Sequence, residues 1–214
     1  MTRIIMVRHG ESMANKECKF AGATTDTPLM ERGLRQAELM AEYVATHYDI
    51  ANVYTSGLQR AYLTGKCVAD KFGLSVMIRD DLREIYGGHW EGCPFEDMGR
   101  LYPEEYKLWM SDFGNARAPG GESAREMADR VTAEVIRIAE ENPEKTVLLV
   151  SHASPVRAMY ALARNGSLEN MNSVPLAANA SLTILNYDNG NWSCEASSVD
   201  SYLGSLKTEL PKNV

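Results

Sequence analysis

Two apolar stretches of this chain end in a histidine. Thr2-Arg3-Ile4-Ile5-Met6-Val7 runs into Arg8-His9-Gly10-Glu11-Ser12, and Thr146-Val147-Leu148-Leu149-Val150 runs into Ser151-His152. Continuous apolar, β-branched runs are the pattern of strands covered on both faces. In open α/β sheets, ligands collect at the carboxyl ends of such strands. If both strands are central in one parallel sheet, both imidazoles face one crevice. A third short strand, Asn52-Val53-Tyr54-Thr55, precedes Arg60 in the first turn of the next helix, and Glu84 follows a fourth strand at Ser75 to Arg79. The chemistry-bearing set is then Arg8, Arg60, His9, His152 and Glu84. Guanidinium groups grip non-bridging oxygens, and an unprotonated imidazole can attack in line. A second imidazole stabilises equatorial charge, while a protonated carboxyl supplies the leaving oxygen with its proton. These types suit phosphoryl transfer.

Taken singly, each residue has a plainer reading. Arg60 alone is a solvated helix residue, Glu84 alone a surface carboxylate, and His152 alone a satisfied core histidine. His47 sits at a helix end, where the dipole favours it on the surface. His89 lies in a loop-rich segment and matches no required role. Trp90, Trp109 and Tyr102 read as packing residues of that segment rather than as a stacking platform. The four histidines show neither HxH nor HExxH spacing, which argues against a metallohydrolase.

The elements that must position this set alternate. Gly33 to Tyr48 reads as an amphipathic helix, with Leu34, Ala37, Ala41, Val44 and Tyr48 on one face. Ser56 is the expected N-cap of a helix carrying Leu58, Ala61, Val68 and Phe72. Between Tyr86 and Gly120 the composition shifts to Gly, Pro, aromatic and acidic residues, with helical periodicity only around Glu104 to Met110; this reads as a small inserted cap of about 86–120 over a site. A helix with Met127, Val131, Val135 and Ile138 inward follows Ser123 and ends near Asn142-Pro143. A further helix spans Pro155 to Arg164, and Leu182–Tyr187 with Trp192–Ala196 form a hairpin across Asp188-Asn189-Gly190. Alternating strands and helices predict a three-layer α/β/α sandwich with a mostly parallel sheet and one antiparallel edge strand, in a single domain over 1–214.

Composition sets the outer limits. The 214 residues are 44% hydrophobic and 24% charged, with a net charge of −7. No Lys/Arg run suggests a nucleic-acid or anionic-membrane footprint, so neither partner is expected. Cys18, Cys67, Cys93 and Cys194 lack CxxC or zinc-ligand spacing and read as free thiols. No signal-type leader or membrane-length run is visible, and the cytoplasm is the expected location. A homo-oligomer is left open.

Arg8-His9-Gly10-Glu11-Ser12 with Asn15 resembles the signature of the histidine phosphatase superfamily, the phosphoglycerate mutase-like branch. Ser56-Gly57-Leu58-Gln59-Arg60-Ala61 with Thr64 resembles that family's second-arginine motif. Leu82-Arg83-Glu84 with Gly88-His89-Trp90-Glu91-Gly92 resembles its acid motif, Gly120-Gly121-Glu122-Ser123 the start of its late helix, and Ser151-His152 its second-histidine motif. The blocks run in family order over nearly the whole chain. The resemblance implies that His9 becomes a phosphohistidine, with its other ring nitrogen tied to a backbone carbonyl. It implies that Arg8, Arg60 and His152 hold the phosphoryl oxygens, with Asn15 and the backbone of Ala153 donating further. Glu84 would be general acid and then general base, kept protonated by burial or a nearby phosphate. No metal and no cofactor are expected, because arginines and histidines neutralise the charge. The substrate would be a small phosphate ester.

Within that family, mutases carry two arginines after the stretch resembling Lys107-Leu108-Trp109. Here Met110 and Ser111 stand in those places, with Asp112 next, and the segment around Tyr102-Pro103-Glu104-Glu105 is acidic. Losing both guanidiniums removes bidentate carboxylate contacts. The expected activity is therefore a metal-independent phosphomonoesterase acting on small phosphorylated metabolites. The alternatives are a phosphoglycerate mutase and a non-catalytic phospho-ligand binding module. Three departures from the pattern stand out: a loop at Gly22 to Leu29 that is one residue longer, Met30 where a capping threonine is common, and Ala153-Ser154 in place of Gly-Gly.

Overall fold

A computed structural model describes residues 1–169 and 171–209; the last residues of the expected 1–214 span lie outside it. Six strands form one sheet: β1 (Thr2–Arg8), β2 (Asn52–Thr55), β3 (Val76–Ile78), β4 (Thr146–Ser151), β5 (Leu182–Asp188) and β6 (Asn191–Val199), in the order β3-β2-β4-β1-β5-β6. The strands β3, β2, β4 and β1 are mutually parallel. The two central strands are the two that lead into histidine. Their register sets Arg8 opposite Ser151, so His9 and His152 leave the sheet at the same level. The sheet is mostly parallel, as expected, but the antiparallel strand is not at the edge. β5 pairs antiparallel with β1, and the hairpin then lays β6 outside it. The hairpin closes on Asn189 and Gly190, both at positive φ (49° and 86°), the requirement of a tight two-residue turn. The half-exposed alternation of β6 suits an edge.

The helices are α1 (Met13–Lys16), α2 (Glu31–His47), α3 (Gln59–Phe72), α4 (Phe95–Leu101), α5 (Pro103–Ser111), α6 (Ala124–Glu141) and α7 (Ala153–Asn165). Alternate residues of each central strand face opposite layers. Ile5, Val7, Val53, Leu148 and Val150 pack with Met40, Ala41, Val44, Ala61 and Val68 of α2 and α3. On the other face, Ile4, Met6, Tyr54, Val147 and Leu149 pack with Val131, Val135, Ile138, Val156 and Met159 of α6 and α7. This is the three-layer sandwich. Among the described residues, no helix is long and apolar enough to cross a membrane.

Two local expectations change. The stretch 86–120 holds two helices where periodicity showed one: α4 spans only Phe95–Leu101 and contains Gly99, too short and interrupted to register as a periodic face. Ser56 does not cap α3; Leu58 occupies the N-cap without a side-chain bond. Met30 occupies the N-cap of α2 without a side-chain bond. The helix begins at Glu31, earlier than periodicity suggests, because the Met30 N–H donates to the Glu11 carbonyl at 2.9 Å and fixes that entry.

Candidate active site

The register of β1 and β4 brings the His9 and His152 rings to a centroid separation of 5.1 Å, edge to face at 62°. The His9 N–H donates to the Ser151 carbonyl at 3.1 Å, stitching the two strand ends together. His9 Nδ1 lies 2.7 Å from the Gly10 carbonyl. A carbonyl can only accept, so Nδ1 carries the proton and Nε2 is left with its lone pair. The Gly10 loop is in turn clamped by α3 and α2. The Gly10 N–H donates to Thr64 Oγ1 at 3.1 Å and the Glu11 N–H to Gln36 Oε1 at 2.8 Å. Glycine is required at Gly33, where a Cβ would fall 2.0 Å from the Glu11 carbonyl oxygen.

Both histidines are buried, and both have their basicity pushed well below the ordinary imidazole value. For His9 the causes are loss of water, then the positive charges of Arg60 and Arg8; for His152 they are burial, then Arg60, His9 and Arg8. Each is a neutral imidazole at pH 7. Arg8 is lowered to about 10 by burial and stays cationic. Its Nη1 donates to the Ala177 carbonyl at 2.8 Å.

Arg60 is fully buried at the start of α3, held by the carbonyls of Thr25 (2.7 Å), Gly22 (2.9 Å) and Ala21 (3.2 Å). That loop, the one carrying the extra residue, is itself organised by Glu91. The Glu91 carboxylate accepts from the N–H groups of Gly22, Thr24, Thr25 and Gly87 at 3.0–3.3 Å. Asp26 adds an ion pair to Arg60 at 3.8 Å. The loop thus cages the guanidinium with three carbonyls and a carboxylate.

Glu84 is buried in the loop after β3. Its Oε1 accepts from the Ile85 N–H at 2.9 Å and its Oε2 from the Ser154 N–H, in the first turn of α7, at 3.2 Å. Burial nevertheless dominates and raises its pKa above the ordinary carboxylate value. Asn15 Oδ1 is taken up by Ser12 and by Asn179 Nδ2, each at 3.1 Å, which leaves the Asn15 amide donors for the cavity. Asn179 also donates to the His9 carbonyl at 2.9 Å.

One small cavity of about 70 Å³ is lined by Arg8, His9, Asn15, Glu84 and Ala153, with Trp109, Phe113, Phe95 and Phe20 as its apolar wall. Arg60 and His152 are not among the residues that line it, but Arg60 acts electrostatically on His9, and His9 and Arg60 on His152. The cavity adjoins a wider cleft of about 720 Å³ through Arg8, Asn15, Phe95, Ala153 and Leu176. His89 is exposed, packs against Gly120 and faces Tyr102 at 6.1 Å, away from the cavity. His47 is exposed and stacked on Tyr43. Trp90 is fully buried in the packing of Phe20 and Trp109, as anticipated, but Trp109 does reach the cavity.

Three residues of this site escaped sequence reasoning. Ser56 Oγ lies 2.7 Å from His152 Nε2. Asn179 sits in a stretch with no periodicity to mark it. Arg157, one turn into α7, lines the same cavity as Arg8. Its spacing of four from Ala153 was the available signal, since a residue one turn along a helix points to the same side as the first turn.

An α/β sheet whose two central strands deliver paired, neutral histidines among buried arginines defines a protein built to hold an oxyanion beside a nucleophile. A model of the histidine phosphatase superfamily (branch 1) matches residues 4–200, and the chain belongs to that family. Phosphoserine phosphatase 1 of Hydrogenobacter thermophilus (strain DSM 6534 / IAM 12695 / TK-6) is 35% identical over 161 residues, covering 75% of each chain. The metal-independent phosphoserine phosphatase of Arabidopsis thaliana is 30% identical over 208 residues, covering 96% of this chain and 85% of that protein. The solved structure of Bacillus stearothermophilus YhfR superposes with a TM-score of 0.88 at 25% identity, covering 95% of this chain and 100% of the other. The chain is a phosphatase of the histidine phosphatase fold.

Proposed function

We propose that this enzyme hydrolyses small phosphomonoesters through a phosphohistidine on His9. The observation that carries the reading is a cluster of buried donors. Among the described residues, Arg8 Nε, Arg60 Nε and His152 Nδ1 are buried with no protein partner, and all three groups act electrostatically on one another or on His9. Native proteins leave few buried donors unpaired; three around one neutral imidazole suit a phosphoryl group that would accept from each.

In the first step His9 Nε2 forms a bond to phosphorus, the ester P–O bond breaks, and its electron pair and the Glu84 proton go to the leaving alcohol. Arg8, Arg60, His152 and Asn15 hold the three non-bridging oxygens, and the Ala153 N–H at the start of α7 adds a further donor. In the second step Glu84, now a carboxylate, takes a proton from water as its oxygen attacks phosphorus. The P–N bond breaks, and inorganic phosphate leaves with His9 neutral again. The segment 86–120 is the cap of a single domain, and it contributes Phe95, Trp109 and Phe113 to the wall that excludes water.

Hydrolysis is favoured over intramolecular transfer by α5. The places where the resemblance puts two arginines hold Met110, which is exposed, and Ser111, whose hydroxyl turns back to the Lys107 carbonyl at 2.9 Å. Neither grips a substrate anion. The test is release of p-nitrophenol from p-nitrophenyl phosphate, run beside conversion of 3- to 2-phosphoglycerate with a bisphosphoglycerate primer. The reading expects hydrolysis that disappears in His9→Ala; conversion outpacing phosphate release would replace it with a mutase, and undiminished hydrolysis in His9→Ala would remove the nucleophile.

A further inference from the structure

The backbone that carries His9 is held by a short stretch preceding β5. The Ala180 N–H donates to the Arg8 carbonyl at 2.8 Å and to the His9 carbonyl at 3.3 Å. The His9 carbonyl accepts again from Asn179 Nδ2 at 2.9 Å, and Arg8 Nη1 donates to the Ala177 carbonyl at 2.8 Å. One cradle, 177–180, thus fixes both the strand end that bears the imidazole and the guanidinium beside it.

Ala180 keeps this post in a conformation that alanine avoids. It is fully buried at a φ of 55°, in the left-handed region, where a Cβ crowds the following carbonyl oxygen. A residue other than glycine persists there only when its surroundings over-determine it. The restraint comes from Tyr202, in the segment Ser201–Leu206 after β6. The Tyr202 hydroxyl donates to the Ala180 carbonyl, and its ring stacks on Tyr43 of α2 at 4.6 Å and 26°. Burial pushes the phenol's pKa up, so the hydroxyl stays a donor. Gln36 ties the same segment to the other side of the nucleophile loop. Its Nε2 donates to the Leu206 carbonyl at 2.7 Å and to Thr208 Oγ1 at 2.8 Å, while its Oε1 takes the Glu11 N–H at 2.8 Å.

We infer that Tyr202 is a positioning residue for the nucleophile: it holds Ala180 left-handed, and Ala180 sets the Arg8 and His9 carbonyls so that His9 Nε2 meets phosphorus in line. This rests on the reading above in which His9 is the nucleophile. Tyr202 lines neither the small cavity nor the wider cleft, so its loss acts on the chemical step and not on the grip of substrate. A phenol that merely anchored the segment 201–206 would affect stability alone. The two roles part at Ala180. Glycine adopts positive φ without a Cβ penalty, so a glycine at that position makes the Tyr202 hydroxyl dispensable for catalysis.

The test uses Tyr202→Phe, Ala180→Gly and the double variant, with p-nitrophenyl phosphate and glycerol 3-phosphate as esters. Rates are taken well below each Tm and per folded molecule. Tyr202→Phe should lower kcat by about 10–100-fold on both esters with KM little changed, because a small misplacement of a reacting group carries that cost. Adding Ala180→Gly should recover most of the loss although the hydrogen-bond donor is still missing. An unchanged kcat in Tyr202→Phe, a change confined to KM, or a loss that Ala180→Gly fails to recover overturns the inference and leaves the phosphatase standing. Should Tyr202→Phe not fold, Ala180→Gly and the double variant decide between them: equal kcat supports the inference, and a lower kcat in the double variant overturns it. A wild type inactive on both esters overturns the phosphomonoesterase reading and the inference with it.

Discussion

Ser56 Oγ sits 2.7 Å from His152 Nε2, while the other nitrogen of that ring, Nδ1, is buried with no protein partner. The pairing assigns the ring its work. If the serine hydroxyl donates to Nε2, the imidazole proton must reside on Nδ1, where it can be given to a phosphoryl oxygen. Ser56→Ala should therefore lower kcat/KM by about 10–100-fold, the usual cost of losing a group that orients a functional side chain. Steady-state kinetics with thermal melting checks this. A fall in activity without a comparable fall in Tm is the expected pattern.

On the proposed mechanism, the opposite displacements of His9 and Glu84 set the working pH range. His9 must be unprotonated to attack, and its lowered basicity carries the acid limb of kcat/KM below about 6.5. Glu84 must be protonated to assist departure, and its raised pKa carries the alkaline limb above about 4.3, the ordinary value. Glu84→Gln should erase the alkaline limb and cost about 10²–10⁴-fold on alkyl phosphates. Loss on p-nitrophenyl phosphate should be smaller, because that leaving group needs little proton assistance. A pH–rate profile on both ester types separates these outcomes.

The same substitution has a signed effect on stability. A carboxyl whose folded pKa is raised contributes fully below its unfolded pKa and loses that contribution as pH rises through the folded value. Glu84→Gln has no proton to lose. The Tm difference, variant minus wild type, should grow with pH across that interval and stay level on either side of it. Calorimetry over a pH series measures it.

Gly33 tests the clamp that holds the catalytic loop. Its Cβ would lie 2.0 Å from the Glu11 oxygen and 2.7 Å from the Glu11 nitrogen, backbone atoms that cannot rotate away. Gly33→Ala should lower Tm by on the order of 5 °C and depress activity as well, since the shift propagates to Gly10 and His9. A melting curve beside an activity assay reads both effects.

Much of this was legible in the sequence for a physical reason. Strands buried on both faces announce themselves as apolar runs, and parallel pairing places their ends together, so Arg8-His9 and Ser151-His152 could be assigned to one crevice. Arg60 and Glu84 followed because they also lie just past strands. What stayed hidden depends on tertiary approach. A serine before a helix looks like a cap, and only the neighbouring strand shows that the Ser56 hydroxyl turns to His152 instead. Asn179 pins His9 from a stretch with no period, and Glu91 gathers four N–H groups from two separate loops. The hairpin of β5 and β6 was readable from Asn189-Gly190, but not which of its strands would lie outermost, because that depends on which one pairs with β1. Arg157 was passed over because one arginine on an amphipathic helix reads as solvated until its surroundings are known.

The central claim is that His9 carries the phosphoryl group. Rapid mixing of enzyme with a phosphomonoester, followed by alkaline quench and mass spectrometry of the peptides, tests it most directly. The account predicts a single phosphoryl adduct on His9 that forms and decays within turnover, accumulates in Glu84→Gln with p-nitrophenyl phosphate, and is absent from His9→Ala. An adduct on another residue, or turnover that proceeds with His9 unmodified throughout, would contradict it.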